Sequence, residues 1–216
     1  MSFALTRESF FWHRVHSLTG IVPIGFYMLQ HLTLNSFSLA GPAKFDGVIG
    51  FFESVPKHVL LAAEALLIWT PLLFHALYGL FIANRSKPNY FGSRYNWSQN
   101  LMYVLQRWSG IALFFFLTYH VISTTVHKYA TNDPRVIEYA AWQAKLTGNG
   151  YLLLAVYALG VLAASYHLSY GIWNFCIRWG ITVSDRSQAA VQRFSAVAFV
   201  AITLLGWAAL AGFLMH

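Results

Sequence analysis

The chain has 216 residues, of which 57% are apolar, 18% aromatic and only 10% charged. Soluble domains carry roughly a quarter charged residues, so this chain cannot cover a water-facing surface and lipid must cover much of it. The formal charge of +7 does not point to nucleic acid, because the basic residues fall at the ends of apolar runs and form no single patch.

A spanning helix needs about 20 mostly apolar residues. The N-terminal MSFALTRESFFWHRVHSLTG has no Ala-x-Ala-like cleavage site after its first apolar segment, which is therefore read as a retained span. The qualifying runs are 18–39, 59–83, 105–127, 151–176 and 194–215, and none has an Asp, Lys or Arg in its middle. They are too long for membrane strands and lack alternation. The prediction is an all-α membrane protein with five transmembrane helices in a single domain over 1–216. The connections 40–58 and 128–150 each have room for a short interfacial helix, in PAKFDGVIGFFESVP and DPRVIEYAAWQAKL.

Orientation follows from the positive-inside rule. Arg7, Arg14, Arg85, Lys87, Arg94, Arg107, Arg178, Arg186 and Arg193 fall on one side, against Lys44, Lys57, Lys128, Arg135 and Lys145 on the other. The N-terminus is expected in the cytoplasm and the C-terminus outside.

Four of the nine histidines lie inside apolar runs, one in each of the first four spans: His31, His75, His120 and His167. Their depths sort into two levels. His31 is 17 residues past Arg14 and His120 is 13 past Arg107, about 25 and 20 Å of helix, in the outer half. His75 is 10 residues before Arg85 and His167 is 11 before Arg178, about 15 and 16 Å, nearer the cytoplasm. Two histidines at one level can share one metal centre. A small ion would also want carboxylates or thiolates, which are absent at these depths. Haem needs only two axial ligands, and its flat apolar ring suits a bundle rich in Phe, Leu and Ala. The only cysteine is Cys176 and there is no C-x-x-C-H run, so the expected cofactors are two non-covalent, bis-histidine b haems held by the first four helices. The competing reading is a polar histidine network between helices, such as the proton relay of a small transporter, which predicts a colourless protein.

The stretches FHALYGLF (74–81) and YHLSYGIW (166–173) repeat a His, a Tyr three on and a Gly four on. Gly79 and Gly171 lie on the face of their histidines and would leave room for a porphyrin edge. Gly20 and Gly110 share approximately the face of His31 and His120. Close helix packing is the alternative for all four.

The chain resembles the dihaem, single-anchor cytochrome b558-type membrane subunits of bacterial succinate dehydrogenase, which are related to the dihaem anchors of quinol:fumarate reductases. The likeness rests on RVHSLTGIVPIGFYMLQH (14–31), PLLFHALYG (71–79), VLQRWSGI (104–111) and WGITVSDRSQ (179–188) and runs nearly end to end. It implies that His75 and His167 bind the proximal, higher-potential haem and His31 and His120 the distal, lower-potential one. It also implies a bacterial cytoplasmic-membrane complex in which a flavoprotein oxidises succinate and an iron–sulfur subunit relays electrons. This chain would anchor both and pass electrons to a quinone, menaquinone, with the succinate site on the partner. The alternatives are an anchor for fumarate reduction or for another dehydrogenase.

Related anchors with a transmembrane proton path carry a glutamate two residues before the fourth-helix histidine. Here Ser165 stands there, which argues against that path and favours succinate oxidation. Glu64, near the outer end of the second span, is either a proton-exchanging group at a distal quinone site or a solvated interfacial acid. Arg14, His16, Arg107 and Arg178 would meet haem propionates or the iron–sulfur subunit's acidic surface. Their other reading is topology and lipid headgroup pairing.

Overall fold

The computed structural model describes residues 2–86 and 97–216, with side chains from Phe10 onward. Lys87 and Arg94 of the charge-asymmetry argument, and the side chain of Arg7, lie outside the described residues. Every regular element among the described residues is helical.

Helix α1 runs Ser2–Ile21 and α2 runs Ile24–Asn35. The run expected as one span, 18–39, is therefore broken at Pro23. The ring nitrogen carries no N–H for the ladder, which resumes only with Tyr27 N donating to the Pro23 carbonyl at 2.9 Å. After α3, Pro42–Glu53, come two long helices, α4 (Lys57–Arg85) and α5 (Ser98–Thr131). A short α6, Tyr139–Thr147, is followed by α7, Leu152–Arg178, and α8, Asp185–Met215. Among the described residues, four helices are long and apolar enough to cross a membrane: the two long ones, α7 with its leading turn, and α8. Their outward faces are apolar, as at Leu66, Phe115, Leu159 and Val197, which suits lipid.

Both long central helices contain a π-helical turn, Ala65–Trp69 in α4 and Ile122–Val126 in α5. In α4 the cause is Pro71, whose ring opposes the carbonyl four residues back. The Ala65 carbonyl accepts from both the backbone N–H and, at 2.8 Å, the Oγ1 of Thr70. In α5 the sequence IleSerThrThrVal supplies hydroxyls that compete for backbone carbonyls: Ser123 and Thr124 both donate to His120 O, at 3.2 and 2.5 Å.

Helices α1, α4, α5 and α7 each pack on their neighbours in that order, and α7 closes back on α1. Helix α8 lies along the far side of α7 and also touches α2. The turn into α8 follows from WGITVSDRSQ. Gly180 adopts φ +69° just past α7, and Ser184 and Ser187 cap α8 reciprocally, at 3.2 and 3.1 Å.

The tightest core lies at the end of the bundle bearing α3 and α6. The segments expected as interfacial helices do fold as helices, but they pack down on the bundle. Phe45, Tyr139, Trp142, Leu146, Tyr157 and Phe213 form one cluster. Tyr139 OH donates to Gly212 O at 2.6 Å and Tyr139 N to Asp46 Oδ1 at 2.8 Å. Ser38 Oγ donates to Ala209 O at 2.7 Å.

Candidate functional site

The four intraspan histidines come from α2, α4, α5 and α7, and they meet in two pairs across the ring. His75 of α4 faces His167 of α7, with ring centroids 6.1 Å apart and planes at 90°. His31 of α2 faces His120 of α5, at 5.9 Å and 78°. The first pair joins diagonal helices of the ring, α4 and α7; the second joins α5 to α2, which follows α1 beyond Pro23.

Two imidazoles on opposite faces of one metal, with bonds of about 2 Å, place their ring centres roughly 6 Å apart. Both pairs fit that span. The tautomers fit as well for the pair on α4 and α7. Nδ1 of His75 lies 2.9 Å from His16 O, and Nδ1 of His167 lies 3.1 Å from Gln106 O. A carbonyl only accepts, so Nδ1 carries the proton and Nε2 keeps the lone pair that a metal needs. Ser109 Oγ stands 3.2 Å from the same His167 nitrogen, and the Gln106 amide donates to His167 O at 2.9 Å. His120 has Nδ1 at 3.2 Å from Tyr157 OH, and its ring is flanked by Phe116 at 6.0 Å and Trp142 at 6.2 Å. Tyr27 is the ring nearest His31, at 5.6 Å.

The glycines divide differently from the expectation. Gly20 packs against the His75 ring so closely that a Cβ there would collide with Cε1, and a Cβ at Gly110 would sit 3.0 Å from His167 Cε1. Gly20 and Gly110 thus serve the histidines of the facing helices. Gly79 faces His16, 3.2 Å from a would-be Cβ, and Gly171 faces the Gln106 amide at an ordinary 3.6 Å.

His16 stacks on His75, centroids 4.0 Å apart. Around it lies the basic end of the bundle. Arg14 stacks on Trp179 at 5.0 Å, Arg107 covers the Tyr103 ring and donates to Tyr103 O at 3.0 Å, and Trp179 Nε1 donates to Ser17 Oγ at 3.1 Å. Arg178 reaches toward His13 O at 3.4 Å. Arg14 Nε, His16 Nδ1, Arg107 Nε and Gln106 Oε1 are buried with no hydrogen-bond partner among the described residues. Buried donors without acceptors are costly, and an anionic group such as a haem propionate fits the need of the two arginine Nε–H groups and of a protonated His16 Nδ1, though not of the Gln106 oxygen, which only accepts.

At the opposite end, half-buried Glu64 accepts a hydrogen bond from Tyr129 OH at 3.1 Å. Beside it Lys128 pairs with Glu53 at 2.9 Å and Lys57 Nζ donates to Asn132 Oδ1 at 3.0 Å. Glu64 is thus held by one hydrogen bond, from Tyr129. Lys145 donates to the carbonyls of Val136 and Ser123, at 3.0 and 3.3 Å, and burial pushes its ammonium below the ordinary value. Ser165 is fully buried, its hydroxyl unpartnered among the described residues.

Sequence reasoning did not single out Gln106, Ser109, Tyr129 or Tyr157. The first two lie either side of Arg107 within QRWSG, where only Arg107 and Gly110 had been singled out.

The chain is 34% identical over 207 residues, 96% of its length and 98% of the relative's, to the succinate dehydrogenase cytochrome b558 subunit of Bacillus subtilis (strain 168). Residues 88–210 match the family described as succinate dehydrogenase/fumarate reductase transmembrane subunit. A family match over more than half of the chain, with a relative 34% identical along nearly its whole length, shows that the chain belongs to the succinate dehydrogenase/fumarate reductase transmembrane subunit family.

Proposed function

We propose that the chain is the dihaem cytochrome b anchor of a succinate:quinone oxidoreductase in a bacterial cytoplasmic membrane. The observation that carries this is the meeting of the four intraspan histidines in two pairs, with ring centres 6.1 and 5.9 Å apart. His75 and His167 hold the proximal haem and His31 and His120 the distal one. When bound, the two haems supply one-electron carriers in series across the membrane. The backbone carbonyls of His16 and Gln106 hold the proximal imidazoles as Nδ1–H tautomers. Gly79 and Gly171 flank that haem, and Arg14, His16 and Arg107 meet its propionates.

Helices α1 and α2 together act as a fifth span bent at Pro23, with the N-terminus in the cytoplasm, the C-terminus outside and the whole chain one domain. Flavoprotein and iron–sulfur subunits dock at the basic, cytoplasmic end, and the succinate site lies on the flavoprotein. Electrons leave to a quinone, menaquinone, near the distal pair. Glu64, held by Tyr129 OH, exchanges protons there. Ser165 in place of a proton-carrying acid supports the succinate-oxidising direction. The reverse direction, quinol:fumarate reduction, is the second reading, favoured by a family description that covers both enzymes.

A reduced-minus-oxidised spectrum of the purified complex tests this directly. Two b-type components that titrate at separate potentials are expected. A colourless protein would return the histidines to a proton-relay reading.

A further inference from the structure

Among the described cations at the outer end, two are matched with acids. Lys128 pairs with Glu53 and Arg135 with Asp133, each at 2.9 Å. Lys145 has no carboxylate partner among the described residues. Its ammonium is held only by the carbonyls of Val136 and Ser123, at 3.0 and 3.3 Å. Those contacts fix its position without cancelling its charge. It lies 5.2 Å over the Trp142 ring, and Trp142, buried in the outer core, stacks in turn on His120 at 6.2 Å and 28°. Ser123, one of its two anchors, sits three residues beyond His120 on the same helix. An unmatched cation is therefore tied, through one aromatic ring and one helical turn, to the histidine of the distal pair.

We infer that Lys145 is the fixed charge that sets the reduction potential of the haem held by His31 and His120. This rests on the assignment of that pair as haem ligands. Taking up one electron converts ferric haem to ferrous and lowers the charge at the iron by one. A nearby cation opposes the more positive oxidised form and so raises the potential. The half-buried setting beside the buried Trp142 screens that interaction less than bulk water does. The distal haem is the lower-potential of the two by family resemblance. Lys145 would keep it within reach of its electron donor.

The experiment is a redox titration of the haem α-bands in the assembled complex, with haem content measured alongside, for Lys145→Met, Lys145→Gln and Lys145→Arg. The Arg variant keeps the charge and should match the parent. The Met variant should shift the distal component to lower potential and leave the proximal one in place, which widens the gap. The Gln variant keeps a donor for the two carbonyls but no charge, so it should shift like Met. Both haems present with neither component moved in Met would overturn the proposal. An unshifted Gln variant would also overturn it, as Lys145 would then be only a hydrogen-bonding strut. Loss of the distal haem from Met and Gln alike, with Arg normal, would replace the potential-setting role by one in assembly. A parent complex with a single haem component would instead sink the ligand assignment itself.

Discussion

Gly20 of α1 lies directly against the imidazole of His75 on α4, with no space for a Cβ between them. The ring of a facing helix is thus positioned by the absence of a side chain. Gly20→Ala should push His75 off its hydrogen bond to the His16 carbonyl. Overpacking of this kind costs about 1–3 kcal/mol, and the expected readout is loss of the proximal haem component. Gly110→Ala, where the contact with His167 is 3.0 Å, should have a milder effect of the same kind. Retention of full proximal haem in both variants would contradict the contact.

Gly171 offers the converse test. A Cβ there meets only the Gln106 amide at an ordinary 3.6 Å, so nothing in the protein itself resists it. If the position flanks the porphyrin, Gly171→Ala should lower proximal haem content in a complex that otherwise assembles and melts normally. Unchanged haem content would make this glycine a packing residue only.

The pairing of histidines predicts which spectral component each variant removes. His75→Ala and His167→Ala should each abolish the higher-potential component, and His31→Ala and His120→Ala the lower-potential one. The other component should remain at least in part. Redox titration of membranes distinguishes these outcomes, and a variant of one pair that erased the signal of the other would overturn the assignment.

Glu64 is tested by Glu64→Gln with both haems monitored. Quinone-reductase activity should fall on the order of 100-fold, the usual scale for loss of a proton-transferring group. Electron transfer from succinate to a soluble dye should be unchanged. Tyr129→Phe, which removes only the hydrogen bond to Glu64, should have a smaller effect of the same sign. Equal loss of dye and quinone activity in Glu64→Gln would point to a general defect in assembly.

The core at the α3–α6 end makes a prediction about stability. Tyr139→Phe leaves the Gly212 carbonyl buried without its 2.6 Å donor, at a cost of about 1–3 kcal/mol. Phe213→Ala, deep in the same cluster, should cost about 3–5 kcal/mol. Thermal unfolding of the solubilised complex should rank them in that order, both below the parent.

The pairing of the histidines was legible in the sequence because two simple quantities determine depth: helical rise per residue and basic residues fixed at one membrane face. Arg14, Arg85, Arg107 and Arg178 give the vertical scale, and the structure joins the histidines they measure. Periodicity says which face of its own helix a residue occupies but not which neighbour it meets. For that reason Gly20 and Gly110 turned out to serve His75 and His167 on the facing helices and not the histidines of their own spans. The bend at Pro23 and the π-turn before Pro71 had their signal in plain view. A proline inside a long apolar run still reads as a span when only hydropathy is summed. The core at the α3–α6 end was hidden for another reason. Tyr139, Trp142 and Phe213 come from segments that look like membrane-surface helices and a terminal span, and only the fold brings them together.

The two π-turns have a consequence for what can vary in this protein. Each lies between one of the paired histidines and one member of the Glu64–Tyr129 couple: residues 65–69 separate Glu64 from His75, and 122–126 separate His120 from Tyr129. An extra residue in a helical turn rotates everything beyond it by about a quarter turn. Glu64 and Tyr129 are thus aimed independently of the histidines on their own helices. Removing one residue from either π-turn would swing its half of the couple away like a hand on a dial, with the histidine below left in place.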